Sequence, residues 1–340
     1  MDESSAFRKR QYQCLVLLLI LYITATQFLV LQDYTVPYND FATTAANATI
    51  NATQTRLGDG CYHVFLDVGA NVGVHGRFLL EPLKYPKTKK SGDLFKKEYA
   101  LQDNRNVCVF EFEANSRHWP RLDEISEAYA KMGWRYHVIH AAVSDQDGSA
   151  TFFHQGGRKE ATHNEWGFSG AKDKEIDGGF EVTVPTIRLA EWINFHIHER
   201  FVPEVIGTLD KPKPVVGMKM DIEGYEMVVL PDLIHSRAIC GFDFAFGEFH
   251  PRFAPIRQFR KNFFNGTNDS SNTTVKDHRV SLETKEEIKQ YQDALIQVMH
   301  ASRNCDVRWM DIDDESYLKD GQPLPIANDT SVTGTRLRGR

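Results

Sequence analysis

Phe65-Leu-Asp-Val-Gly-Ala-Asn-Val-Gly73 joins an apolar run to a turn rich in small residues. Tyr62 to Val68 is short, β-branched and aromatic, which predicts a buried strand. Val74 to Leu83 places Phe78, Leu79 and Leu83 on one stripe, which predicts a helix. The segment between them is therefore a strand-to-helix turn. Glycine lets a chain turn sharply and lets a ligand approach the backbone. The helix behind it offers free N–H groups and the positive end of its dipole. The spacing through Gly69, Gly73 and Gly76 is G-x-x-x-G-x-x-G, which departs from the dinucleotide fingerprint G-x-G-x-x-G. A cofactor loop and a plain tight turn are both compatible with it, and the first is favoured.

Outward from this turn, apolar runs and helical stripes alternate. Asn106–Phe112, Tyr136–Val143, Glu181–Ile187, Pro214–Ile222, Gly241–Phe249 and Val307–Ile312 read as strands. Ser116–Met132, Leu189–His198, Tyr225–His235 and Lys285–Ser302 read as helices, the last burying Ile288, Tyr291, Leu295, Val298 and Met299. Lys84–Asp93 reads as a basic loop. Ser144–Gly148 is a turn, with Ala150–His154 as a paired extension. Gln155–Gly179 is polar and Gly-rich, a lid or binding loop. The alternation predicts an α/β fold with a doubly wound, mostly parallel sheet.

Such sheets bind ligands at the carboxyl ends of their strands. The first strand ends in Asp67, Gly69, Ala70, Asn71 and Gly73. The second ends in F-E-F-E-A-N, where Glu113 or Glu111 can accept from ribose hydroxyls. If Phe110 and Phe112 share one face, the two glutamates share the other. A later strand ends in K-M-D-I-E-G-Y-E, and Asp221 and Glu223 there are costly to bury unless they serve a site. The next ends in G-E-F-H-P, with Glu248 and His250; the histidine is a candidate general base or a hydrogen-bonded structural residue. His163, Trp166 and Phe168 lie in the long loop and are candidate substrate contacts. His75 is expected in the first helix. His196 and His198 fall on different helical faces, which argues against a metal pair, and no metal site is expected.

The 340 residues carry a net charge of -6, so nucleic acid is not indicated as a partner. Cys14–Leu31 is uncharged, follows Arg8, Lys9 and Arg10, and is long enough to span a bilayer. The basic flank predicts a type II orientation: a cytosolic tail at 1–13, an anchor at 14–32, and a lumenal remainder. A cleaved signal peptide is less favoured, because Thr24–Gln27 offers a poor cleavage site. Residues 33–60 read as a stem, 61–326 as the folded domain with a glycosylated insertion at 255–279, and 327–340 as a tail. Sequons begin at Asn47, Asn51, Asn265, Asn268, Asn272 and Asn328, as expected of a chain facing the endoplasmic reticulum or Golgi lumen. Outside the anchor lie Cys61, Cys108, Cys240 and Cys305. One or two disulfides fit such a compartment, though Cys108 inside its apolar run reads as a buried thiol. No C-x-x-C pair exists for a zinc ribbon.

The strings F-L-D-V-G-A-N-V-G, F-E-A-N (Phe112–Asn115), H-A-A-V-S-D-Q-D-G (His140–Gly148), V-P-T-I-R-L (Val184–Leu189) and K-M-D-I-E-G-Y-E-M-V-V-L (Lys219–Leu230) resemble the FkbM family of S-adenosylmethionine-dependent methyltransferases. The likeness runs from Val64 to Pro325. It departs at Ala114, where the family usually has proline, and at Ala190, where it usually has an acidic residue. It implies a class I methyltransferase fold. It also implies that Asp67, Gly69, Ala70, Asn71 and Gly73 hold the methionine part of S-adenosylmethionine, Glu113 the ribose, and residues near Ala142 the adenine. Asp221 is implied beside the transferring methyl group, and the acceptor is implied to be a hydroxyl, as on a glycan. Two other classes remain: an inactive binding protein of the same fold, and a nicotinamide oxidoreductase. The second needs a Tyr-x-x-x-Lys pair, and Tyr85 and Lys89 lie too early in the chain to supply it.

Overall fold

The computed structural model describes residues 55–88, 90–99, 103–154, 168–169, 181–204, 213–250, 285–302, 304–312, 314, 316–317 and 320–326. The predicted anchor, the insertion at 255–279, the tail at 327–340, every sequon, His163 and Trp166 lie outside these residues. Among the described residues no helix is long and apolar enough to cross a membrane.

Six strands form one sheet. They are β1 (His63–Val68), β2 (Val107–Phe112), β3 (Arg135–Ile139), β7 (Val216–Met220), β8 (Phe244–Gly247) and β9 (Arg308–Asp311). Their order is β3-β2-β1-β7-β8-β9, and every pairing is parallel. The connecting helices include α1 (Val74–Leu80), α2 (Lys90–Glu98), α3 (Trp119–Lys131), α4 (Leu189–Ile193), α5 (Glu226–His235) and α6 (Lys285–Ala301). The α/β reading holds, with a sheet of the doubly wound kind. Alternation along each strand explains how the two faces are covered. Val64, Leu66, Val68, Phe110, Phe112, Met218 and Met220 feed one core cluster. Phe65, Val109, Phe244 and Phe246 feed the other.

Five local expectations need correction. The first helix ends at Leu80, and Leu83, expected on its apolar stripe, is 58% exposed. Lys84–Asp93 is not all loop: α2 begins at Lys90 and buries Leu94 and Phe95. Tyr136–Val143 is not one strand. It breaks after Ile139, and β4 (Ala142–Ser144) joins β5 (Gly148–Phe153) and β6 (Glu181–Arg188) in a second sheet ordered β4-β6-β5. Leu189–His198 is α-helical to Ile193 and then widens into a π turn, Asn194–His198. In α6, Met299 is buried but Val298 is 47% exposed; Ile296 packs on the core in its place.

The cysteines are also paired. Cys61 bonds Cys108, with Cα atoms 5.6 Å apart, and Cys240 bonds Cys305, at 4.5 Å. Cys108 is therefore not a thiol. It lies near the start of β2, beside the chain entering β1, where a second cysteine comes within bonding reach.

The C-terminal segment is fastened to α1 through charge. Arg77 is buried and binds Glu81 at 2.8 Å, together with Asp320. Tyr85 and Tyr129 donate to Asp320 and Glu81 at 2.9 and 2.6 Å.

Candidate active site

The main sheet reverses direction of growth between β1 and β7, and the loops leaving those strands part there. Such a switch point is where open α/β sheets bind ligands. A cleft lies at this end, lined by loops after β1, β2, β7 and β8 and by the second sheet. Of the predicted residues, Gly69, Ala70, Asn71, Glu113, Ala142, Asp221, Glu223 and His250 line it, as do Glu248, His75 and Phe168. Asp67, Gly73 and Glu111 do not.

One end of the cleft is built on Glu113. Its Oε2 accepts the backbone N–H of Asn71 at 2.6 Å, and its Oε1 accepts that of Asn115 at 2.7 Å. The indole N–H of Trp119 donates to the Glu113 carbonyl at 2.9 Å, and His118 Nδ1 lies 3.4 Å from Oε1. The carboxylate thus fixes the turn after β1 while still facing the cleft. Asn71 adopts a left-handed φ of 53°, and its buried Oδ1 has no hydrogen-bond partner among the described residues. Ala141, Ala142 and Val143 form an apolar wall alongside, with Phe152 and Phe168 packed against Ala142.

Gly69 is required by the protein itself. A Cβ there would sit 1.9 Å from the Asp221 carbonyl oxygen, and its φ is +86°. The close approach draws the ends of β1 and β7 together. Gly76 has a similar cause. A Cβ there would meet the Glu111 carboxyl at 2.2 Å.

That carboxyl explains why the glutamates do not act together. Glu111 lies in register with Asp67 on the neighbouring strand, and both are fully buried. Burial first, then the Asp67 charge, drives the Glu111 carboxyl far above the usual range. Glu113 lies past the end of β2, where strand alternation no longer sets its direction. Asp67 sits beneath the cleft, 3.6 Å from Lys219 Nζ and 3.8 Å from His75 Nδ1.

The other end of the cleft is acidic. Lys219 Nζ donates to the Gly69 carbonyl at 2.7 Å and lies 3.3 Å from Asp221 Oδ2. Burial opposes the Lys219 charge, but Asp221 and Asp67 more than offset it and keep the ammonium protonated. Burial also acts against the Asp221 charge; Lys219 and then His250 overcome it and hold this carboxyl below the usual range. Glu226 accepts the N–H of Ile222 at 2.7 Å and of Gly224 at 2.9 Å, which folds the I-E-G-Y turn back on α5. His250 Nδ1 lies 3.5 Å from both Asp221 and Glu226, and its Nε2 lies 3.2 Å from Glu248. Although burial disfavours the charged ring, the hydrogen bond to Glu226 and the Glu223 charge push His250 up to about 9. Burial drives the Glu223 carboxyl up to about 8, with His250 opposing and Asp221 and Glu226 adding. Asp221, Glu223 and His250, all three candidates from the sequence though not as metal ligands, bring three ligand-type atoms within 4.8 Å of one another.

His196 and His198 are separate, as expected. His196 Nδ1 accepts from Leu57 at 3.1 Å, and His198 Nε2 is 2.7 Å from the Ala238 carbonyl. The residues missed by sequence reasoning are Lys219, His118 and Glu226. For Lys219 a signal exists: it stands two residues before Asp221, on the same strand face.

A family model described as "Methyltransferase FkbM domain" matches residues 67–264, which is more than half of the chain. No curated protein and no solved structure matches. The matched span contains the turn after β1, Glu113 and the Asp221–His250 end of the cleft. The chain belongs to the FkbM methyltransferase family and is an S-adenosylmethionine-dependent methyltransferase.

Proposed function

We propose that this enzyme methylates a hydroxyl oxygen on a glycan, or on another small hydroxylated acceptor, within the secretory pathway. Bound in the cleft, S-adenosylmethionine would supply a methyl group on a sulfonium, whose sulfur would keep the bonding pair when the acceptor oxygen takes the carbon. The residues present fit that cofactor. Asn71 Oδ1 is a buried acceptor with no donor among the described residues, which suits the ammonium of the methionine part. Glu113 retains lone pairs for ribose hydroxyls after serving two backbone amides. The apolar wall at Ala141–Val143 suits a flat purine.

The observation that carries the acceptor reading is the acidic end of the cleft. A hydroxyl is a weak nucleophile until its proton leaves, and a base with a pKa near the working pH is best suited to take it. Glu223, pushed up to about 8, is such a group. His250, pushed up to about 9, lies further from that pH than Glu223 does, so of the two candidates Glu223 is the better suited base. Alignment of oxygen, methyl and sulfur in a fixed cleft supplies much of the rate.

The secretory location rests on the predicted anchor at 14–32 and on the sequons. Two disulfides in one domain support it, since such bonds persist in oxidising compartments. The test is incubation of the full chain with methyl-labelled cofactor and a panel of glycans. Label in sugar O-methyl groups is expected. Label confined to protein side chains, with all sugars unlabelled, overturns the reading. An inactive binding protein would bind S-adenosylhomocysteine and transfer no label.

A further inference from the structure

Asp221, Glu223 and His250 come from two loops, those after β7 and β8, yet they converge on one point of the cleft wall. Their surroundings are rich in titratable groups. Asp221, Glu223, Glu226 and Glu248 lie about His250, with Lys219 as the other cation. Lys219 is already divided between Asp221, Asp67 and the Gly69 carbonyl. Four carboxyl groups and two basic groups thus crowd one partly buried stretch of the cleft wall. Glu226 spends both oxygens on backbone N–H groups and is fixed from behind. Asp221, Glu223 and His250 all line the cleft.

We propose that Asp221, Glu223 and His250 bind a divalent cation. Two carboxylates with one imidazole suit magnesium, manganese or another first-row ion. Three protein ligands leave positions of a six-coordinate ion open, and here the open side is the cleft. The acceptor chemistry that fits is a hydroxyl with a second oxygen on the adjacent carbon, as in a vicinal diol or a 2-hydroxy acid. The cation orients that pair and weakens the hold of the reacting oxygen on its proton. The second oxygen of a ligating carboxylate stays free to receive the proton. This deepens the O-methylation reading and rests on it for the acceptor, but not for the binding of the ion.

The probe is Mn²⁺ titrated into the full chain holding S-adenosylhomocysteine, followed by electron paramagnetic resonance. One saturable Mn²⁺ per chain is expected, with nitrogen coupling from the imidazole. Glu223→Gln and His250→Gln should each weaken Mn²⁺ by about tenfold or more. The His250 variant should also lose the nitrogen coupling. Retained S-adenosylhomocysteine affinity checks that each variant folds. Absence of saturable Mn²⁺ binding to the unaltered chain, or binding that both folded variants keep in full, overturns the proposal. Mn²⁺ binding as expected with no glycan methylated sinks the acceptor reading and leaves the ion site standing. Undiminished sugar methylation by chelator-stripped protein that binds no Mn²⁺ does the reverse.

Discussion

Glu113 holds the backbone N–H of Asn71 at 2.6 Å, so the end of β2 sets the shape of the turn that follows β1. The same carboxylate also holds Asn115. Glu113→Gln offers one acceptor oxygen where two are used. It should lose one charge-assisted bond, about 1.5–3 kcal/mol. Isothermal titration with S-adenosylhomocysteine should therefore show affinity weakened about 10- to 100-fold. Unchanged affinity would mean that the turn holds its shape without this tie.

Lys219 neutralises two acids on neighbouring loops and strands. Lys219→Met strips the counter-charge from buried Asp67, and breaking a buried pair from one side costs about 3–5 kcal/mol. Urea denaturation should register that loss. Adding Asp67→Asn removes the stranded charge and should recover more than ~1 kcal/mol. Strict additivity of the two substitutions would show that the pair does not interact.

His63 predicts the response to acid. It is 3% exposed, and its Nδ1 accepts the N–H of Val215 at 3.1 Å, which requires a neutral ring. Burial first, then Arg200, lowers its pKa from 6.5 to about 4. The unfolded chain takes up the proton that the folded one refuses. Stability from this residue is therefore full above pH 6.5, falls as pH drops, and stops falling near 4. The loss amounts to as much as ~3 kcal/mol. His63→Asn should be less stable at neutral pH but should show a flatter melting temperature between pH 7.5 and 5. An equally steep profile would assign the acid sensitivity to other groups.

The disulfides close loops with sequence separations of 47 and 65 residues. Loop-closure entropy gives each about 4 kcal/mol. Replacing either pair with serine should lower the melting temperature by roughly 10 °C. S-adenosylhomocysteine affinity at room temperature should stay within about twofold, because neither bond touches the cleft. A large loss of affinity in a folded variant would refute that separation.

Much of this architecture is legible in the chain because strand alternation and turn chemistry are local. Asp67–Gly73 and Lys219–Glu226 announce themselves as strand ends from their own residues. What stays hidden depends on partners distant in sequence. Tyr136–Val143 is one apolar run, and nothing in it marks the transfer of Ala142 to a second sheet. α2 is masked by its lysines, since Leu94 and Phe95 are too few to draw a stripe. Cys108 reads as a thiol until the approach to β1 brings Cys61 beside it. Glu111 and Glu113 look like a matched pair, yet one is taken by Asp67 and the other by backbone amides. The Asp221, Glu223 and His250 grouping needs two strands to stand side by side before it exists.

Both disulfides sit where the parallel strands begin, before or at the starts of β1, β2, β8 and β9, while the cleft opens where the strands finish. The sheet thus has a locked rim and a working rim. Residues on the working rim are relieved of much of the duty of holding the domain shut. Descendants of such a chain can exchange the loops around Glu223 and His250 for new acceptors while the cross-linked rim keeps the scaffold intact.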